Sequence, residues 1–121
     1  MSKTELPHDH GQNESHFVEH IPSPEDFSAV SDVFKLLGDP SRVRIFWLLC
    51  HFEECVINIS AMVDMSSPAV SHHLNKLKAA GLIVSRREGK EVHYRAADTP
   101  QAQALHHMIE EMVDIACPTS K

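Results

Sequence analysis

The stretch Ser67-Pro68-Ala69-Val70-Ser71-His72-His73-Leu74-Asn75-Lys76-Leu77-Lys78-Ala79-Ala80-Gly81-Leu82-Ile83-Val84-Ser85-Arg86-Arg87-Glu88-Gly89-Lys90 decides the fold. Val70, Leu74 and Leu77 recur at spacings of three and four, which puts one apolar stripe on a helix from Ser67 to Ala80. Gly81 is a good residue just past the end of such a helix. Ser67, Ser71, His72, Asn75, Lys76 and Lys78 fall outside the stripe. Leu82-Ile83-Val84 and Val92–Ala97 then have strand character, and Arg86-Arg87-Glu88-Gly89-Lys90 between them reads as a hairpin tip with glycine for the turn. A helix fits the major groove of DNA, and hydroxyl, amide and basic side chains reach base edges from it. A basic hairpin beside it can straddle phosphates or enter the minor groove.

Upstream, a short helix over roughly Ile57–Val63 and a turn at Asp64–Ser66 precede that stretch. Asp39-Pro40 supplies a cap and a first-turn proline for the helix before it. Val43, Phe46, Trp47, Leu49 and Cys50 give that helix a broad apolar face, with the bulky Trp47 as its expected anchor. Ser23-Pro24-Glu25-Asp26 opens a still earlier helix, whose stripe is Phe27, Val30, Phe34 and Leu37 and whose end is Gly38. Downstream, Asp98-Thr99-Pro100 starts a last helix with Leu105, Ile109, Met112 and Ala116 on one face. The predicted fold is mainly α with a small β-hairpin: a winged helix-turn-helix of five helices and a two-stranded wing. It occupies residues 23–118. Residues 1–22 lack apolar periodicity and read as a mobile, acidic, histidine-bearing tail with a helical turn near His16–His20.

The chain of 121 residues suits one domain and a tail. Its 42% hydrophobic and 23% charged residues are ordinary for a globular protein. No apolar run is long enough for a membrane helix, and Met1–His20 has no signal-peptide core, so no membrane partner and a cytoplasmic location are expected. Three cysteines without a C-x-x-C pair argue against a disulfide scaffold and a self-contained zinc finger. The net charge of −6 is unevenly spread. Residues 66–97 carry six Lys/Arg against two Glu, a local +4, whereas residues 1–26 carry one Lys against six Asp/Glu. A phosphate backbone senses that local block.

The motifs Leu36-Leu37-Gly38-Asp39-Pro40-Ser41-Arg42-Val43-Arg44-Ile45, Ser67-Pro68-Ala69-Val70-Ser71-His72-His73-Leu74, Leu77-Lys78-Ala79-Ala80-Gly81-Leu82-Ile83 and Arg86-Arg87-Glu88-Gly89-Lys90 with Tyr94 follow one another in fixed order. In this the chain resembles the ArsR/SmtB family of winged-helix repressors over about residues 27–116. The resemblance implies a homodimer paired through its first and last helices. It implies binding to a palindromic, double-stranded operator and release by an inducer. In such proteins the inducer is often a metal ion, here zinc or another divalent metal; in others it is a redox event or a small molecule.

The expected DNA contacts are Ser67, Ser71, His72, Asn75 and Lys76 on the helix, with Arg87 and Lys90 on the wing. His73 reads equally well as a satisfied inner histidine. The sensor has three candidates. First, Glu54-Cys55-Val56 matches the family's metal-sensing stretch, but the second cysteine two residues on is Ile57 here, and the acidic residue after it is Asn58. Tail imidazoles could complete that set: His16 and His20 are i, i+4, and His8-x-His10 adds two more, a mixture with one thiolate that suits Zn²⁺. Second, zinc-sensing relatives use an Asp, a His two residues on, and residues 13 and 16 beyond the Asp. Asp98 matches the first, but Pro100 stands at the His position and Glu111 and Asp114 at the others. His107, Glu111 and Asp114 share an i, i+4, i+7 stripe, which is either a shifted site or a solvated acidic face. Third, persulfide-type relatives pair a cysteine in the second helix with one near the chain end. Cys50 and Cys117 approximate that pair, although Trp47 holds the expected first position.

His16-Phe17-Val18-Glu19-His20 spells a zinc-peptidase pattern, but a polar tail offers no third ligand, scaffold or cleft, and no enzyme is expected. Two further classes compete with the repressor. A winged-helix interaction module would show apolar or aromatic groups on 67–78 and 86–90 instead of polar and basic ones. A metal buffer would depend on the tail histidines.

Overall fold

The computed structural model describes residues 6–116. Residues up to Asp32 and residues from Val33 form two compact units. In the first, α1 spans Glu14–Val18. The predicted helical turn therefore comes earlier than expected, and His20 lies beyond it, although its ring stays 5.4 Å from that of His16. Helix α2, Pro24–Leu36, begins in this unit and ends in the next. Its start is fixed reciprocally: Asp26 N–H donates to Ser23 Oγ and Ser23 N–H to Asp26 Oδ2, each at 3.2 Å. No residue of α2 is buried, and Phe27, Val30 and Phe34 are each about half exposed.

The second unit continues with α3 (Pro40–His51), β1 (Glu54–Cys55), α4 (Val56–Val63), α5 (Ser67–Ala79), β2 (Ile83–Glu88), β3 (Glu91–Ala96) and α6 (Pro100–Ala116). Caps set the helix starts. Asp39 accepts from Arg42 N–H at 3.0 Å ahead of Pro40, and Ser66 accepts from Ala69 N–H at 3.3 Å ahead of Pro68. Asp64, at φ +56, ends α4 in the left-handed region and makes the sharp turn into α5. Helix α5 closes in a Schellman arrangement: Gly81, at φ +79, donates to Lys78 O and Leu82 to Leu77 O, both at 3.0 Å.

The predicted two-stranded wing is the β2-β3 hairpin, and β1 joins it to make a three-stranded antiparallel sheet in the order β1-β3-β2. Phe52 leaves α3 in an extended conformation, and the next residues pair with the free edge of β3, Glu54 opposite Tyr94 and Cys55 opposite His93. A two-residue strand has no periodicity to announce it. The hairpin register runs from Ile83↔Ala96 to Glu88↔Glu91 around Gly89 at φ +62.

The core is one cluster in which Ile45, Phe46, Ile59, Val70, Leu74, Leu77 and Leu82 are fully buried. Trp47 is not its anchor. Phe46 takes the centre, and Trp47 sits at the edge, where its indole N–H can donate to Glu110 Oε2 at 2.9 Å. The α6 stripe also divides. Leu105 and Ile109 face the core, whereas Met112 is 58% exposed.

Candidate nucleic-acid interface and metal-ligating residues

Burying Val70, Leu74 and Leu77 turns the opposite face of α5 outward. His72, Asn75 and Lys76 are exposed and Ser71 partly so. Ser67 shares its hydroxyl with Ser60 of α4 at 3.2 Å, which ties the first helix of the pair to the start of the second. His73 points the other way. It is buried, and its Nδ1 lies 3.0 Å from an Arg42 guanidinium nitrogen, with its Nε2 4.0 Å from Asp39 Oδ1. Guanidinium can only donate, so Nδ1 accepts and the imidazole is neutral with its proton on Nε2. Burial, chiefly, pushes the His73 pKa below the ordinary imidazole value; Asp39 opposes this and Arg42 reinforces it. Arg42 also donates through Nε to Leu36 O at 2.7 Å. One side chain thus joins the end of α2, the start of α3 and the inner face of α5.

The six basic residues of the local +4 block divide by partner. Arg86 holds Glu53 at 2.9 and 2.7 Å and also pairs with Glu88. That guanidinium holds the Glu53 carboxyl below its usual range. Arg95 is 4.0 Å from the same Glu53. Lys78 Nζ donates to Ser85 Oγ at 2.7 Å, a strut from α5 to the wing. The side chains of Lys76, Arg87 and Lys90 are exposed and make no ion pair or hydrogen bond among the described residues.

The expected metal ligands are placed as follows within each unit. Cys55 is buried, on β1, beside a small cavity lined also by Val56, Ile57 and Tyr94. The imidazoles of His8 and His10 lie 6.0 Å apart in the other unit. On α6, His107 and Glu111 form an exposed pair at 3.2 Å, while Asp98 accepts from Gln103 at 2.7 Å at the start of that helix. Cys50 is half-buried, and its thiol is pushed up to about 11 by burial and the charge of Glu110, which favours the protonated form near neutral pH. Cys117 lies outside the described residues.

A different group converges within the second unit. His51, at the last turn of α3, and His106 and Glu110, one turn apart on α6, place their ligand atoms within 4.8 Å of one another. His51 Nε2 is 2.8 Å and His106 Nε2 3.1 Å from the same Glu110 Oε2, and the two imidazole nitrogens are 3.3 Å apart. Hydrogen bonds from His51, then His106, hold the Glu110 carboxyl below its usual range. The spacing of His106 and Glu110 is visible in the sequence; their meeting with His51 is not.

Residues 39–85, which span α3 to the start of the wing, match the model of the arsR family of bacterial regulatory proteins. An uncharacterized HTH-type transcriptional regulator of Methanocaldococcus jannaschii is 37% identical over 89 residues, 73% of this chain and 99% of that protein. The chain belongs to the ArsR family. The cadmium resistance regulatory protein CadC of Listeria innocua is 43% identical over 70 residues, 57% of this chain, but the match spans only 59% of that relative's length. Among solved structures, a homodimeric winged helix-turn-helix DNA-binding domain of Mycobacterium bovis aligns with a TM-score of 0.64 at 25% identity, covering 90% of this chain and 91% of that one. Reduced HlyU of Vibrio cholerae aligns with a TM-score of 0.66 at 26% identity, over 77% and 94%. The ArsR relatives are regulators and not enzymes, and the fold is the DNA-binding winged helix. No helix among the described residues is long and apolar enough to cross a membrane.

Proposed function

We propose that this ArsR-family chain is a homodimeric repressor that binds a palindromic operator through α5 and the wing and is released by a divalent metal such as zinc. The observation that carries the DNA reading is the outward face of α5, with Ser71 partly exposed and His72, Asn75 and Lys76 exposed, together with exposed Arg87 and Lys90 on the wing. In this reading Lys76, Arg87 and Lys90 meet phosphates, which position the protein, while Ser67, Ser71, His72 and Asn75 meet phosphates or base edges. Those hydroxyl, amide and basic groups speak against an interaction module, which would expose apolar side chains there.

The dimer reading rests on the apolar surface left open in one chain. Phe34, Leu37, Val43, Met108, Met112 and Val113 line a groove of about 630 Å³ between the end of α2 and α6. A second copy would cover it with the same residues, as two-fold symmetry requires. The homodimeric relative from Mycobacterium bovis supports this arrangement.

The test is selection of bound duplexes from a random-sequence library, followed by anisotropy titration of the winner. The expected result is a two-fold symmetric site with half-sites one helical turn, roughly 34–36 Å, apart. No enrichment over random sequence would refute sequence-specific binding. Titrating Zn²⁺ into the complex then tests release.

A further inference from the structure

We propose that His51, His106 and Glu110 form a zinc site that clamps the last turn of α3 to α6 within one protomer. This deepens the metal-release reading and rests on it only for the consequence at DNA. Two imidazoles and a carboxylate are ligands Zn²⁺ accepts, with arms of about 2.0–2.2 Å. Tetrahedral geometry with such arms sets ligand atoms about 3.3–3.4 Å apart. The three separations here, 2.8, 3.1 and 3.3 Å, lie within a few tenths of an ångström of that edge. Each Nε2–H can donate to Glu110 Oε2, and a bound Zn²⁺ would take the place of those two protons.

The surroundings suit a bound ion. The side chains of His51, His106 and Glu110 are 36%, 31% and 39% exposed, so the site is reachable yet partly desolvated. It borders an open cleft lined by Cys50, Asp98 and Gln103, which leaves a fourth position for water. Trp47 N–H already donates to Glu110, and such an outer hydrogen bond orients a ligating carboxylate. The Trp47 ring also packs on His51 with centroids 4.5 Å apart. Ions that prefer thiolates, such as Cd²⁺, gain less from this set. The consequence for DNA follows from α6 itself. Ile109 lies between the two α6 ligands, Met112 and Val113 follow them, and all three line the open groove, so fixing α6 against α3 fixes the angle at which two copies meet.

Trp47 is the sole tryptophan and stands against two of the ligands, so it reports on the site. The experiment titrates Zn²⁺, and separately Co²⁺, into untagged, reduced full-length protein against a chromophoric chelator while Trp47 fluorescence is followed. One equivalent per chain is expected, with a fluorescence change at the same midpoint. The Co²⁺ spectrum should show the d–d bands of a low-coordinate nitrogen and oxygen site and no thiolate charge-transfer band. His106→Ala, which does not touch Trp47, and Glu110→Gln, which keeps an acceptor for it, should each weaken Zn²⁺ by at least about tenfold. Cys55→Ser, His16→Ala/His20→Ala and His107→Ala/Glu111→Gln should leave it unchanged. Unchanged affinity in both His106→Ala and Glu110→Gln overturns the site, as does a thiolate band lost in Cys55→Ser. DNA release is read separately. Release by Zn²⁺ that persists unchanged in both cluster variants refutes the cluster as the releasing site and keeps the regulator. Zn²⁺ bound at the cluster with DNA affinity unmoved keeps the site and refutes metal release.

Discussion

Replacing Arg42 should loosen the seat of α5 by a predictable amount. Its guanidinium makes two bonds in different directions, to Leu36 O at 2.7 Å and to His73 Nδ1 at 3.0 Å. A hydrogen bond from a charged group contributes about 1.5–3 kcal/mol, and an orphaned buried acceptor costs about 1–3 kcal/mol. Both bonds are only partly buried, so the low end applies and Arg42→Ala should cost about 3 kcal/mol. With a urea slope of roughly 1.5 kcal/mol per molar for a small domain, the midpoint falls by about 2 M. Arg42→Lys keeps the charge but offers a single point instead of a fork, so it should recover no more than half. The assay is urea unfolding followed by far-ultraviolet circular dichroism at one fixed protein concentration, since association would shift the midpoint. A midpoint for Arg42→Lys within about 0.3 M of the native one would refute the two-direction argument. The pH dependence gives a second check. His73 titrates below its unfolded value in the fold, chiefly through burial. The unfolded chain therefore binds more protons, and the His73 contribution is complete above about pH 6.5 and is lost as the pH falls below it. Arg42 is one of the cations that lower that pKa, so the gap between Arg42→Ala and the native protein should narrow on acidification.

Lys76→Ala should weaken operator binding and flatten its salt dependence by about one unit of slope; an unchanged slope removes Lys76 from the set of groups that meet phosphates. Leu74→Ala empties a fully buried position and should cost about 2.7–5 kcal/mol in urea unfolding, and a loss below about 1.5 kcal/mol would mean that the core closes around the gap. Met112→Glu puts a charge into the open apolar groove and should yield monomers in sedimentation velocity with native circular dichroism; a native protein that already sediments as a monomer would end the dimer reading. Cys50, with its thiol near 11, should react with iodoacetamide at pH 8 roughly a hundredfold more slowly than an ordinary cysteine of pKa about 8.5. Peptide mass spectrometry resolves it from Cys55 and Cys117, and labelling at an unfolded-chain rate would contradict its burial.

Helices α2, α3 and α5 were readable because local chemistry announces each of them. Asp39-Pro40 and Ser66-Ser67-Pro68 cap and open α3 and α5 with no help from the rest of the chain. The stripe Val70, Leu74, Leu77 told which face of α5 turns inward and so which side chains turn out. What stayed hidden depends on long-range partners. Strand β1 exists because β3 has an edge to offer. Trp47 is displaced from the centre by an acceptor 63 residues away. On α6 two stripes of identical spacing run side by side, His106 with Glu110 and His107 with Glu111. From the sequence alone the second is the candidate, since nothing local favours the first. The phase of α6 against α3 separates them: it buries Leu105 and Ile109 and brings His106 round to His51.

The Schellman closure at Gly81 has a mechanical consequence. The carbonyls that end α5 are answered by the amides that begin the wing, and Lys78 reaches across to Ser85 as a second strut. Helix and hairpin therefore form one rigid hand with no wrist between them. A hand of fixed span cannot adapt to an imperfect half-site by swivelling its thumb. Whatever adjustment such a site demands falls to the duplex, which can bend at a cost set by its own sequence, or to the joint between two protomers. Under the proposed operator binding by a dimer, tolerance for variant sites would be set by the stiffness of the DNA and of the joint between the two copies more than by the reading head.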